Sequence, residues 1–151
     1  MSNSTGANYT GDILEQFICD RLKERKYTFV ERSQFKAALY LEQPIYTKQF
    51  LIGKSMYGTD QYADFVLFHP QRHVKCLVIE SKWQQAGGSV DEKFPYLAGN
   101  IKKYPFPTIL LLDGGGYRKE AEVWIRAQVG GNFLHVFNMK EFTIWANKGN
   151  F

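Results

Sequence analysis

No apolar run in the chain approaches the roughly 20 residues that a membrane-spanning helix needs. The opening stretch, Met1 to Thr10, is small and polar, with neither the basic start nor the apolar core of a secretory signal. These two absences predict an intracellular, cytoplasmic protein without a membrane partner. Cysteine is scarce. Cys19 and Cys76 are the only two, each among apolar neighbours, and are expected to be buried free thiols. His69 and His73 are four apart, but Pro70 between them opposes a shared helix face, so no structural zinc is expected. The glycine run 114–116 lacks the lysine of a phosphate-binding loop and the spacing of a dinucleotide fingerprint, which makes it a plain strand-to-helix turn. Repeats, low-complexity tracts and linkers are also missing. One domain over residues 1–151 is expected, with 1–10 as a loose segment.

What is present suits a packed interior: 44% of the 151 residues are hydrophobic and 16% aromatic. Leu14, Ile18 and Leu22 recur at four-residue steps, predicting a helix from Asp12 to about Lys26, capped by Thr10 or Asp12. Residues 27–52 read as extended, with a hairpin turn at Glu42-Gln43-Pro44. YADFVLF (62–68) and KCLVIESKW (75–83) flank a polar turn and predict an antiparallel hairpin. Ser89 followed by Glu92 matches a capping box for a helix over 90–103. TILLL (108–112) suits a strand buried on both faces. A helix over 117–128, a strand over 134–137 and a helix over 139–147 complete the chain. The fold class expected is α/β, one mixed sheet with helices packed on it.

Glu80 and Lys82 interrupt a strand that otherwise wants burial. Side chains alternate along a strand, so Cys76, Val78, Glu80 and Lys82 share a face, with the two charges about 7 Å apart. On the preceding strand Asp64 shares a face with Val66 and Phe68. If the two faces coincide, two carboxylates and an ammonium converge. Close carboxylates repel, and burial raises their pKa unless a cation compensates. Mg²⁺ does so with oxygen ligands while keeping several waters, and Mn²⁺ is expected to substitute. Lys82 would then orient or help deprotonate a water, or steady developing negative charge. The ordinary alternative is an exposed cross-strand salt bridge of little energetic weight. Two further acidic-x-Lys triplets, Glu24-Arg25-Lys26 and Asp91-Glu92-Lys93, fall on predicted helices, where residues two apart diverge. Glu15 lies at the border of the first helix's apolar stripe, where a carboxylate would look inward toward Asp64 and Glu80. Gln84, two beyond Lys82, is a candidate contact to phosphate or to a metal-bound water.

A helix glutamate, a strand aspartate, a following strand Glu-x-Lys and then alternating helix and strand resemble the PD-(D/E)XK nucleases, the restriction endonuclease-like fold. The resemblance runs from about Asp12 to Phe137. It implies that Asp64 and Glu80 bind Mg²⁺, that Lys82 assists the water, and that Glu15 matches the helix glutamate of many members. The residue before Asp64 is Ala63 rather than the motif's proline. Within the superfamily, the length and the opening MSNSTGANYTGDILEQFICDRL resemble the intron-encoded homing endonucleases of cyanobacteria. That implies a homotetramer cutting a long target within a tRNA gene.

Net charge is +4, compatible with a polyanion without establishing one. Basic residues concentrate in the first third, and a two-stranded ribbon over 34–52 is expected to present Lys36, Tyr40, Tyr46 and Lys48 to a DNA groove. One small protomer holds one centre, whereas double-stranded DNA needs two attacks, so a homo-oligomer (a tetramer, otherwise a dimer) is expected. The rivals are a junction resolvase, a restriction-type enzyme and a non-catalytic DNA-binding module of the same fold.

Overall fold

The computed structural model describes residues 5–151, with side chains from Asp12 onward. Helix α1 spans Thr5–Glu24, so Thr10 and Asp12 lie inside it rather than capping it. Residues 5–10 are thus helical, and the rest of the loose segment expected over 1–10 falls outside the described residues. Leu14, Ile18 and Leu22 are each at most 1% exposed, a burial worth about 1.5–3 kcal/mol per side chain. The helix ends as Lys26 turns left-handed (φ 65°), while Tyr27 N bonds back to Leu22 O and Lys26 N to Lys23 O. This is the double closure that usually employs glycine.

Six strands form one mixed sheet: β1 (Thr28–Phe29), β2 (Ile45–Lys54), β3 (Asp60–His69), β4 (His73–Trp83), β5 (Thr108–Asp113) and β6 (Phe133–Phe137). They lie in chain order. β2, β3 and β4 run antiparallel, while β4, β5 and β6 are parallel. The parallel pairs require crossovers. These contain α3 (Phe94–Lys103), preceded by a 3-10 turn at Asp91–Lys93, and α4 (Lys119–Arg126). α5 (Met139–Trp145) follows β6. The mixed, helix-flanked α/β sheet read from the sequence is therefore the observed architecture.

The two faces divide the helices. Val66, Val78, Leu110 and Leu112 pack with Phe94, Ala98 and Ile101 of α3 and Ile125 of α4. Phe65, Leu67, Leu77, Ile79, Ile109 and Leu111 pack with α1 and with Phe142 of α5. β5 feeds both cores alternately, which is why its sequence is an unbroken apolar run.

Two further expectations fail. The 34–52 segment is not an antiparallel ribbon. β1 pairs with β2 in parallel, and the chain between them carries α2 (Phe35–Ala38) and a 3-10 turn at Leu39–Leu41. A parallel pair cannot be joined by a tight hairpin. Phe35, Ala38 and Leu39, spaced for one helix face, supply the apolar contacts of the connection. The capping box at Ser89 and Glu92 also does not form, and α3 begins later with Pro95 in its first turn. Gln84 Oε1 accepts from Asp91 N (3.0 Å) and Arg118 clamps the Asp91 carboxylate, fixing this segment from outside. A capping box does occur at Asn138 and Glu141, starting α5.

Candidate active site

The β3–β4 register, with Val66 opposite Val78 and Phe65 opposite Ile79, sets Asp64 across from Glu80. Directly opposed residues of an antiparallel pair have Cβ atoms about 4.5–5.5 Å apart and point to the same face. Strand alternation brings Lys82 to that face as well. All three open into a cavity of about 370 Å³ between the sheet and α3, walled by Tyr96, Leu97 and Asn100 of the helix and by Tyr104 just past its end. The convergence that the sequence left conditional on register is present.

The two carboxylates are not equivalent. Asp64 is half-buried and takes donors on both oxygens: Ser81 N at 2.9 Å on Oδ2, and Gln49 Nε2 at 3.2 Å on Oδ1. Gln49, at φ 51°, lies between the pairs Lys48–Phe65 and Phe50–Ala63 and so stands opposite Asp64 in the β2–β3 ladder. Directly opposed residues are near neighbours, which puts the Gln49 amide within reach of the carboxylate. Glu80 is 3% exposed, and the Tyr104 hydroxyl donates to its Oε1 at 3.3 Å. Desolvation first, and the neighbouring Asp64 charge second, push the Glu80 carboxyl well above the usual carboxylate range. Burial and the Glu80 charge likewise push the Tyr104 phenol up, so it stays a donor. A carboxyl pair held this way suits a cation, which would reverse the penalty on ionising Glu80.

Glu15 does not join the cavity. Its Oε1 accepts from Lys48 Nζ at 2.9 Å on the α1 side of the sheet, and Lys48 also lies over the Phe29 ring. Among the described residues no group of three or more His, Cys, Asp or Glu is placed to hold a metal. The carboxylates lining the cavity are those of Asp64 and Glu80. Tyr46, expected to read DNA, is buried beneath α1 beside Phe65. Alternation along β2 turns it inward. Lys36 and Tyr40 are exposed, Tyr40 at 89%, but on the helical crossover rather than on a ribbon.

Gln84 also needs correction. It is 5% exposed, donates from Nε2 to Gly116 O at 2.9 Å and accepts from Asp91 N. Both ends of its amide are engaged within the protein, so it braces the site instead of meeting substrate or a metal-bound water. This also accounts for the glycines. A Cβ at Gly114 would collide with the Gln84 carbonyl, and one at Gly116 with the Ala86 backbone. The run is a turn pressed against 84–86, as its composition suggested, for a packing reason that composition does not reveal.

Sequence reading missed the wall of the cavity. Tyr96 and Asn100, four apart on one face of α3, and Tyr104, four further on at its C-terminal cap, follow a spacing available in the sequence. Lys93 belongs to a triplet set aside because residues two apart on a helix diverge. Its partner Asp91 does point elsewhere, yet Lys93 itself lines the cavity. The β2–β3 turn closes one side by docking on α3: Met56 N donates to Asn100 Oδ1 at 2.8 Å, and Tyr57 stacks on Tyr96 at 4.9 Å. Gly99 leaves the space that the Met56 thioether fills.

Cys19 and Cys76 are free and half-buried rather than fully buried. No described helix is long and apolar enough to cross a membrane. A family model, the PD-(D/E)XK nuclease superfamily domain, matches residues 6–150. No curated protein and no solved structure gives a significant match.

Proposed function

Since the chain belongs to the PD-(D/E)XK nuclease superfamily, we propose that it is a Mg²⁺-dependent endonuclease that hydrolyses phosphodiester bonds in double-stranded DNA at the Asp64–Glu80–Lys82 centre. The observation that carries this reading is the buried, protonation-prone Glu80 facing Asp64 in a cavity that Lys82 also enters. Asp64 and Glu80 would hold the ion, and Mn²⁺ substitutes for it. When bound, the cation polarises the phosphoryl oxygen and offsets negative charge in the transition state.

The protein's own groups do the rest. Ser81 N and Gln49 hold the Asp64 carboxylate in one orientation, and the Tyr104 hydroxyl holds Glu80. Lys82 pairs with no carboxylate within 4.0 Å among the described residues, which leaves its ammonium for the attacking water or the phosphate. Attack of water oxygen on phosphorus forms one P–O bond and breaks the bond to the 3′ oxygen. The attacking water loses a proton and the leaving oxygen gains one from solvent.

The finer reading is a homing endonuclease acting as a homotetramer on a long tRNA-gene target. It is supported by the resemblance of the opening residues, and Lys36 and Tyr40 are its exposed candidates for DNA contact. The test is a cleavage screen with Mg²⁺, Mn²⁺ or chelator over tRNA-gene fragments, palindromic duplexes and four-way junctions, alongside size-exclusion chromatography. Cutting of a tRNA-gene duplex by a tetramer is expected. Preference for junctions would indicate a resolvase, and short palindromic specificity a restriction-type enzyme. Binding without cutting in any metal would make the chain a non-catalytic module.

A further inference from the structure

We propose that Lys93 is a second phosphate-binding residue, holding the phosphate next to the scissile one on the same strand. The inference rests on the nuclease reading above. Lys93 is exposed and ends the 3-10 turn that leads into α3, and it lines the same cavity as Asp64, Glu80 and Lys82. Side chains three apart on such a turn eclipse one another, so Val90 and Lys93 face the cavity together.

The acidic neighbours that would ordinarily neutralise Lys93 are taken. Arg118 Nη2 lies 2.6 Å from Asp91 Oδ1 and 3.7 Å from Glu92 Oε1. Among the described residues no carboxylate lies within 4.0 Å of Lys93. A divalent cation between Asp64 and Glu80 would offset both carboxylates, leaving two ammonium groups in one cavity. The scissile phosphodiester carries a single negative charge and is met by Lys82. The second ammonium matches the charge of one further phosphate, and continuity of the strand supplies it.

The experiment maps the cut on a duplex substrate, then places one neutral methylphosphonate at each phosphate flanking it. Wild type, Lys93→Ala, Lys93→Arg and the surface control Lys140→Ala are compared. In wild type, one of the two neutral linkages is expected to lower kcat/KM by about tenfold, the scale of a hydrogen bond to a charged group. Lys93→Ala should lose a similar factor on the unmodified duplex, more through KM than kcat, and show no further loss with the neutral linkage. Its salt slope for binding should fall by about 1. Lys93→Arg should restore sensitivity to the linkage, and Lys140→Ala should behave as wild type. Equal sensitivity to the neutral linkage in Lys93→Ala and wild type overturns the assignment while leaving the nuclease reading intact. Failure of wild type to cut with any divalent metal sinks both.

Discussion

Glu80 and Asp91 are two carboxyl groups buried to the same degree, each about 3% exposed, and their environments push them in opposite directions. Asp91 receives Arg118 through its guanidinium and its backbone N–H, and these bonds hold it down at about 2. Glu80 receives one phenol and faces another carboxylate, and it is raised. The chain supplies a bound countercharge for one, while at the other the Lys82 charge does not outweigh burial and the Asp64 charge. On the proposed reading the carboxyl left without a countercharge is the reactive one, and the neutralised one is a brace.

The largest effects should come from removing groups at the unneutralised centre. Asp64→Asn, Glu80→Gln and Lys82→Ala should each lower cleavage by about a hundredfold or more, with duplex binding largely retained. Unchanged cutting in all three would refute the site. Arg118→Ala acts on the other carboxyl, leaving Asp91 buried without its cation. Its unfolding midpoint should fall clearly in thermal melts, and a midpoint equal to wild type would mean that Arg118 is not the brace.

Acid should distinguish the pair next. Asp91 has a depressed folded pKa, so its contribution to stability is complete above the unfolded value of about 3.9 and is lost as pH falls toward about 2. A pH series of melts should show an acid loss in that window, and Asp91→Asn should flatten it. Smaller is the effect of Glu80→Gln on the metal-free protein at neutral pH, a gain of about 0.5–2 kcal/mol, since a poorly solvated carboxylate is removed. The same variant should lose the rise in melting temperature that Mg²⁺ gives wild type. A destabilised Glu80→Gln that still responds to Mg²⁺ would reverse the comparison. Smallest is Glu15→Gln. With its half-exposed ion pair to Lys48 outside the cavity, it should change stability by no more than about 1 kcal/mol and cleavage by less than about threefold.

The strands were the most legible part. Alternation within YADFVLF and KCLVIESKW was enough to pair β3 with β4, and one unbroken run identified β5. Glu80 and Lys82 stood out because charge on an interior strand contradicts the pattern around it. The segment before β2 was misread because Phe35, Ala38 and Leu39 satisfy a short helix as well as an extended chain, and periodicity cannot separate the two over so few residues. Gln84 was misassigned because its face was read correctly while its partners, Gly116 and Asp91, lie 32 and 7 residues away. Glu15 went wrong for a related reason: an inward-looking position on α1 does not say which face of the sheet α1 covers.

By itself, then, the sequence determined that this is an α/β protein with an acid on one strand and an acid and a lysine sharing a face of the next, because side-chain period is a local property of the backbone. The tertiary structure decided that Asp64 opposes Glu80, that Glu15 does not join them, and that Tyr104 and Lys93 do enter the cavity. Those outcomes depend on strand register and on which helix packs on which face. Both are set by long-range burial that no local pattern encodes.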